Sequence, residues 1–139
     1  MYLEIQSAAN LLMHIVRLGR VPEDEIDEFG RNLVASMRRR YRDHWDPTIP
    51  RKGSGYRVIS LGDRIHPIIA QAADGCTSPW LIYRTLPTLT LWIDPFEVSY
   101  RIGENGCISI LYDGGAQPWT PNDTFRPKQH NWFFARNYG

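Results

Sequence analysis

Few side chains in this chain could carry reaction chemistry. Asp94 and Glu97 flank Pro95 three residues apart. A carboxylate acid–base pair would use those residue types, but it needs a cleft and one raised pKa. The simpler role for Asp94 is to accept backbone N–H groups in a turn. Ser54, inside Gly53-Ser54-Gly55, has no evident base and reads as a turn residue. His14 falls near the apolar stripe of a helix, which favours packing, while His44, His66 and His130 lie near turns without ligand spacing. Cys76 and Cys107 are too few for a disulfide framework, lack nearby His for zinc, and read as small hydrophobes. A phosphate loop, a Gly-x-Ser-x-Gly elbow and a His-Glu-x-x-His motif are all missing. The expectation is a protein that is not an enzyme and that uses neither cofactor nor metal.

Binding is better served. In Thr88-Leu89-Thr90-Leu91-Trp92-Ile93-Asp94-Pro95 the side chains alternate. On a strand, Leu89, Leu91 and Ile93 share one face and Thr88, Thr90 and Trp92 the other. A Trp flanked by Thr is either an exposed interface anchor or a core residue under a covering helix, and both remain open at this level. Tyr56 is similarly ambiguous, and Trp45 suits packing at the base of a loop. The block Arg38, Arg39, Arg40, Arg42 reads as a solvated helix end complementing the helix dipole. It could also dock an acidic partner or RNA, with Tyr41 the one aromatic inside it.

These residues need elements to position them. The chain has 139 residues, 42% hydrophobic and 22% charged, with a formal net charge of +1. That suits one domain with an ordinary core and excludes overall charge as the force driving it onto nucleic acid. The +1 hides an asymmetry: residues 31–64 carry nine bases and three acids. Aromatic residues make up 12%, so some rings are candidates for display. No secretory signal or ~20-residue apolar span is visible, and a reducing intracellular compartment is the default.

Apolar spacing predicts helices over residues 3–18 and 22–41, a helical hairpin with acids in the second helix's first turn and arginines in its last. Short helices follow at 67–73 and 79–84. Strands are predicted at 56–61, 88–93, 98–102 and 107–112, with Asn105-Gly106 as a hairpin signal. The fold class is α+β, with an N-terminal helical hairpin and short helices packed on a small, mainly antiparallel sheet. Residues 1–113 form the domain. Residues 114–139 read as a partly disordered tail whose Pro118-Trp119 and Trp132-Phe133-Phe134 could dock on the domain or a partner.

Two segments resemble the boxes of the BTG/Tob antiproliferative family: His44-Trp45-x-Pro47 with Lys52-Gly53-Ser54-Gly55-Tyr56-Arg57, and Leu86-Pro87-x-Leu89 running through to Gly103-Glu104. The likeness covers about residues 1–113 and is nearer the BTG branch. It implies a BTG/Tob-like fold and a non-enzymatic, antiproliferative adaptor, cytoplasmic and nuclear. Such an adaptor binds the CAF-type deadenylase subunit of the Ccr–Not complex and promotes mRNA deadenylation. The family's contact positions carry over onto Tyr56, Trp92 and Asp94, with Pro95 shaping the turn. The resemblance thus favours an exposed Trp92 and gives Asp94 the role of a charged neighbour that fixes docking register.

Some relatives contact poly(A)-binding protein, a protein arginine methyltransferase or transcription factors. The first two are reached through the region after the second box, which makes Ile108, Ile110, Leu111 and Tyr112 secondary binding positions. Other relatives polymerise through the same domain, so self-association on RNA is the alternative function. The chain departs from the family pattern at Asp46, where an aromatic is usual, and at His66, where an Asp precedes the Pro of the short helix. The His66 position is implicated in deadenylase contact.

Overall fold

The computed structural model describes residues 1–123 and the backbone of residues 126–127. Among these are five helices and five strands in the order α1 (Tyr2–Leu18), α2 (Glu23–Tyr41), α3 (Ser54–Arg57), β1 (Ile59–Leu61), α4 (Pro67–Ala73), α5 (Pro79–Thr85), β2 (Leu89–Asp94), β3 (Glu97–Ile102), β4 (Ser109–Asp113) and β5 (Arg126–Pro127). The strands form an antiparallel meander in sequential order, so the α+β assignment holds.

Helix α1 packs on both the sheet and α2, and α4 packs on α2. Being covered on two sides explains why α1 buries Ile5, Ala8, Ala9, Leu11, Leu12 and Val16, a wider face than one stripe. Phe29, Leu33, Met37 and Tyr41 fill the α2 side of the core. Each such apolar side chain contributes roughly 1.5–3 kcal/mol relative to exposure. Gly19 does more than end α1. A Cβ there would lie 2.2 Å from Thr85 Oγ1, so the glycine lets α5 approach closely.

Two expectations need correction. Tyr56 does not begin a strand: it lies in the one-turn α3, and β1 starts at Ile59. The hairpin signalled by Asn105-Gly106 is present, since β3 and β4 pair antiparallel; their connection spans 103–108, and Asn105 keeps an ordinary φ. Gly103 takes the left-handed φ of 75°, and Gly106 is demanded by space, since a Cβ would lie 2.1 Å from the Ile102 carbonyl oxygen. Cys76 is buried as a small hydrophobe would be, but Cys107 is exposed.

The chain after β4 docks on the domain as far as Trp119. That indole is 3% exposed. The Trp119 backbone N–H donates to Ser7 Oγ at 2.8 Å, Asn10 donates to the Trp119 carbonyl at 2.7 Å, and the ring packs edge-on to His14. Trp132, Phe133, Phe134 and His130 lie outside the described residues.

Candidate functional site

The centre of the site is Arg57, fully buried at the end of α3. A guanidinium has five N–H donors, and every one is used. Nε donates to the Ile93 carbonyl at 2.8 Å. Nη1 donates to the carbonyls of Lys52, at 2.8 Å, and His44. Nη2 donates to the Pro50 carbonyl at 3.0 Å and to Asp94 Oδ1 at 2.9 Å. The guanidinium also lies 5.3 Å from the Trp45 ring centroid, within cation–π range. One side chain thus ties the loop of residues 44–52 to the end of β2. From below, the Tyr41 hydroxyl donates to the Arg57 carbonyl at 2.8 Å. Burial pushes the Tyr41 pKa far up, so it remains a donor.

Tyr56 sits above this hub with 44% of its surface exposed. Its ring stacks on His44, centroids 3.8 Å apart and planes 25° apart, and the Arg40 guanidinium lies 5.2 Å from its centroid. Arg40 is half-buried, and its Nε has no hydrogen-bond partner among the described residues. Arg40 therefore belongs to the aromatic site, whereas Arg38, Arg39 and Arg42 are solvent-exposed at the helix end. His66 caps α4: its Nδ1 accepts from the Ile68 N–H at 3.1 Å. Burial first, and the nearby Arg40 second, lower its pKa, which keeps Nδ1 unprotonated and able to accept.

Trp92 is half-buried on the sheet face opposite Leu89, Leu91 and Ile93. It stands across from Ser99, and the Arg101 guanidinium lies 5.8 Å from its ring centroid. The β2–β3 turn that follows has Pro95 buried and Phe96 at a φ of 69°. Proline then a positive φ is the sequence of a type II turn. The buried Glu4 carboxylate supports it by accepting the Phe96 N–H at 2.9 Å.

Several expected site residues are placed differently from the sequence reading. Asp94 is 3% exposed and neutralises Arg57 from inside, so it is neither a displayed neighbour nor a backbone-capping turn residue alone. A carboxylate so enclosed is retained because a guanidinium shares its enclosure. Pro95 shapes the turn from a buried position. Ile108, Leu111 and Tyr112 are buried, because a register shift at Val98/Ser99 turns both Leu111 and Tyr112 toward the core; only Ile110 is half-exposed. The residue that sequence reasoning passed over is Arg57. Its available signal was position: a lone cation between Tyr56 and the apolar Val58-Ile59. Among the described residues, no group of His, Cys, Asp and Glu could hold a metal ion, and no helix is long and apolar enough to cross a membrane.

A helical hairpin packed on an antiparallel meander is the fold of a BTG/Tob-type domain. The same fold is found in the BTG/Tob domain of C. elegans FOG-3, at a TM-score of 0.74 over 82% of this chain and 91% of that one, with 24% identity. The BTG family model matches residues 1–112. The chain is 44% identical to rat Protein BTG2 over 114 residues, covering 79% of this chain and 72% of the relative. It is 43% identical to human Protein BTG1 (79% and 66%) and 39% identical to human Protein Tob1 (81% and 33%). The chain belongs to the BTG family.

Proposed function

We propose that this chain is a non-enzymatic adaptor that docks on a CAF-type deadenylase subunit of the Ccr–Not complex, bringing poly(A)-shortening activity to target mRNAs in cytoplasm and nucleus. The observation that carries this reading is the lock itself. Arg57 joins the two boxes that the family resemblance marks for deadenylase contact, and it leaves Tyr56 presented on a stacked base of His44 and Arg40. Trp92 supplies the second aromatic anchor, with Arg101 beside it. Aromatic anchors held by a rigid support bind well because little side-chain entropy is lost on docking. Asp94 and Pro95 act from below as positioning residues.

The test is co-precipitation of a CAF-type deadenylase with wild-type protein and Trp92→Ala. The expected outcome is loss of capture with the melting temperature lowered by less than about 5 °C, since a half-buried ring gives up only part of a full cavity penalty. Equal capture by the variant would overturn the assignment.

Self-assembly is a second reading, favoured by exposed apolar side chains away from the boxes, Leu18 at 73% and Trp80 at 60%. A sedimentation series that shows only monomer across a wide concentration range would remove it.

A further inference from the structure

The aromatic site holds a cation that the fold does not neutralise. Arg40 is half-buried at the end of α2, and its guanidinium lies 5.2 Å from the Tyr56 ring centroid. Its Nε is buried and has no hydrogen-bond partner among the described residues. The ion pairs among those residues join Met1 to Glu4, Arg17 to Glu23 and Arg57 to Asp94, and none of them takes Arg40. Acids near it are otherwise placed. Asp46 accepts from the Thr48 N–H at 3.0 Å and from the Thr48 hydroxyl at 2.6 Å, Asp94 is enclosed with Arg57, and Asp43 is exposed and forms no ion pair with Arg40. The remaining neighbours add no negative charge. His44 stacks on the same Tyr56 ring, and the half-buried His66 lies close enough for the Arg40 charge to help lower its pKa. Cation–π attraction does not occupy a guanidinium's N–H groups, so a half-buried Arg with a ring and no acceptor is under-satisfied.

We propose that Arg40 is a specificity-determining residue of this surface and that it receives a carboxylate, an Asp or Glu side chain of the deadenylase, set down beside Tyr56. The pairing rests on the function proposed above, since it names what that partner presents at this point. A guanidinium edge holds a carboxylate through two parallel N–H bonds, and a turn of the side chain toward it brings the buried Nε–H into use. The Tyr56 ring shields one side of the pair from water, which strengthens it over a fully exposed one. A phosphate of single-stranded RNA fits less well. Such binding stacks bases on open aromatic faces, and here His44 already occupies one face of Tyr56 while Arg40 lies over the same ring.

The experiment measures binding of the purified CAF-type deadenylase subunit by calorimetry at three salt concentrations. The full chain is used as wild type, Arg40→Gln, Arg40→Lys, Arg40→Glu and Trp92→Ala, each checked for folding by its melting temperature. Arg40→Gln should weaken binding about tenfold and flatten its dependence on salt. Arg40→Lys should recover part of the loss, because the charge returns without the planar fork. Arg40→Glu should bind more weakly still, and changing one Asp or Glu of the deadenylase to Lys should restore it, which a mere support of the Tyr56 ring would not do. Equal affinity and equal salt dependence of wild type and Arg40→Gln, with Trp92→Ala still losing capture, overturn the pairing and leave the adaptor function standing. A loss in Arg40→Gln that no charge reversal in the deadenylase restores makes Arg40 a support for Tyr56 and also overturns it. Loss of binding to a single-stranded RNA oligonucleotide, with deadenylase affinity unchanged, assigns the cation to phosphate and overturns it too. If wild type binds no deadenylase, the adaptor function falls and the pairing falls with it.

Discussion

Replacing Asp94 by Ala separates two roles that the position could have. A displayed carboxylate that fixes docking register would, when removed, weaken binding and leave folding alone. The observed carboxylate is 3% exposed and lies 2.9 Å from a guanidinium that is 0% exposed. Its removal strands one N–H of Arg57 and leaves the buried charge facing the four carbonyls of Ile93, Lys52, His44 and Pro50 and the Trp45 ring. Breaking a buried pair from one side costs about 3–5 kcal/mol. The four carbonyl dipoles still favour the cation, so the lower end, about 3 kcal/mol, is expected here. For a domain of this size each kcal/mol moves Tm by roughly 3–4 °C, giving a fall of about 10 °C in a calorimetric or fluorescence melt. Deadenylase capture should fall with it, because the loop bearing His44 and the turn after β2 lose their common tie. Asp94→Asn, which keeps an acceptor but not the charge, should fall between. An Asp94→Ala protein that melts within about 2 °C of wild type yet fails to bind would refute the lock and restore Asp94 to the interface.

Three further outcomes follow from the same contacts. His66 has a lowered pKa in the folded state, so the unfolded chain binds its proton first as pH falls; stability should therefore decline below about pH 6.5. His66→Asp should flatten that part of a Tm-versus-pH curve, and a curve unchanged by the substitution would discard the idea. Trp119→Ala should cost about 3–5 kcal/mol, read as a lower midpoint in urea, because the indole is part of the core beside His14 and α1; an unshifted midpoint would mean the segment after β4 only rests on the surface. Gly106→Ala should destabilise by about 1–3 kcal/mol, since the neighbour in the way is backbone, the Ile102 carbonyl oxygen, and cannot rotate aside. A neutral result would show the β3–β4 loop to be more compliant than its contacts imply.

Much of the frame was legible because its signals are local. Acids at the start of α2 and arginines at its end, the Pro67 and Pro79 helix starts, and the alternation through Leu89, Leu91 and Ile93 all act within a few residues. Phe29, Tyr41 and Tyr100 are core. The misplacements share a different cause. Tyr56 sits in α3 rather than a strand because the next residue must turn inward to serve five acceptors. Leu111 and Tyr112 both face the core because a bulge breaks the alternation that would have exposed one of them. Arg40 left the solvated patch because Tyr56, sixteen residues on, offered it an aromatic face.

The sequence alone determined most of the helix and strand positions, the turn that holds Tyr56 excepted, and which two boxes carry the family resemblance. Those properties depend on periodicity, composition and short-range order. Only the tertiary structure decided that Asp94 supports the site from inside and that Trp119 completes the core. Burial of a charge depends on its partner, and the partner of Asp94 lies 37 residues away. No local pattern encodes that distance; the packing of α3 against the end of β2 does.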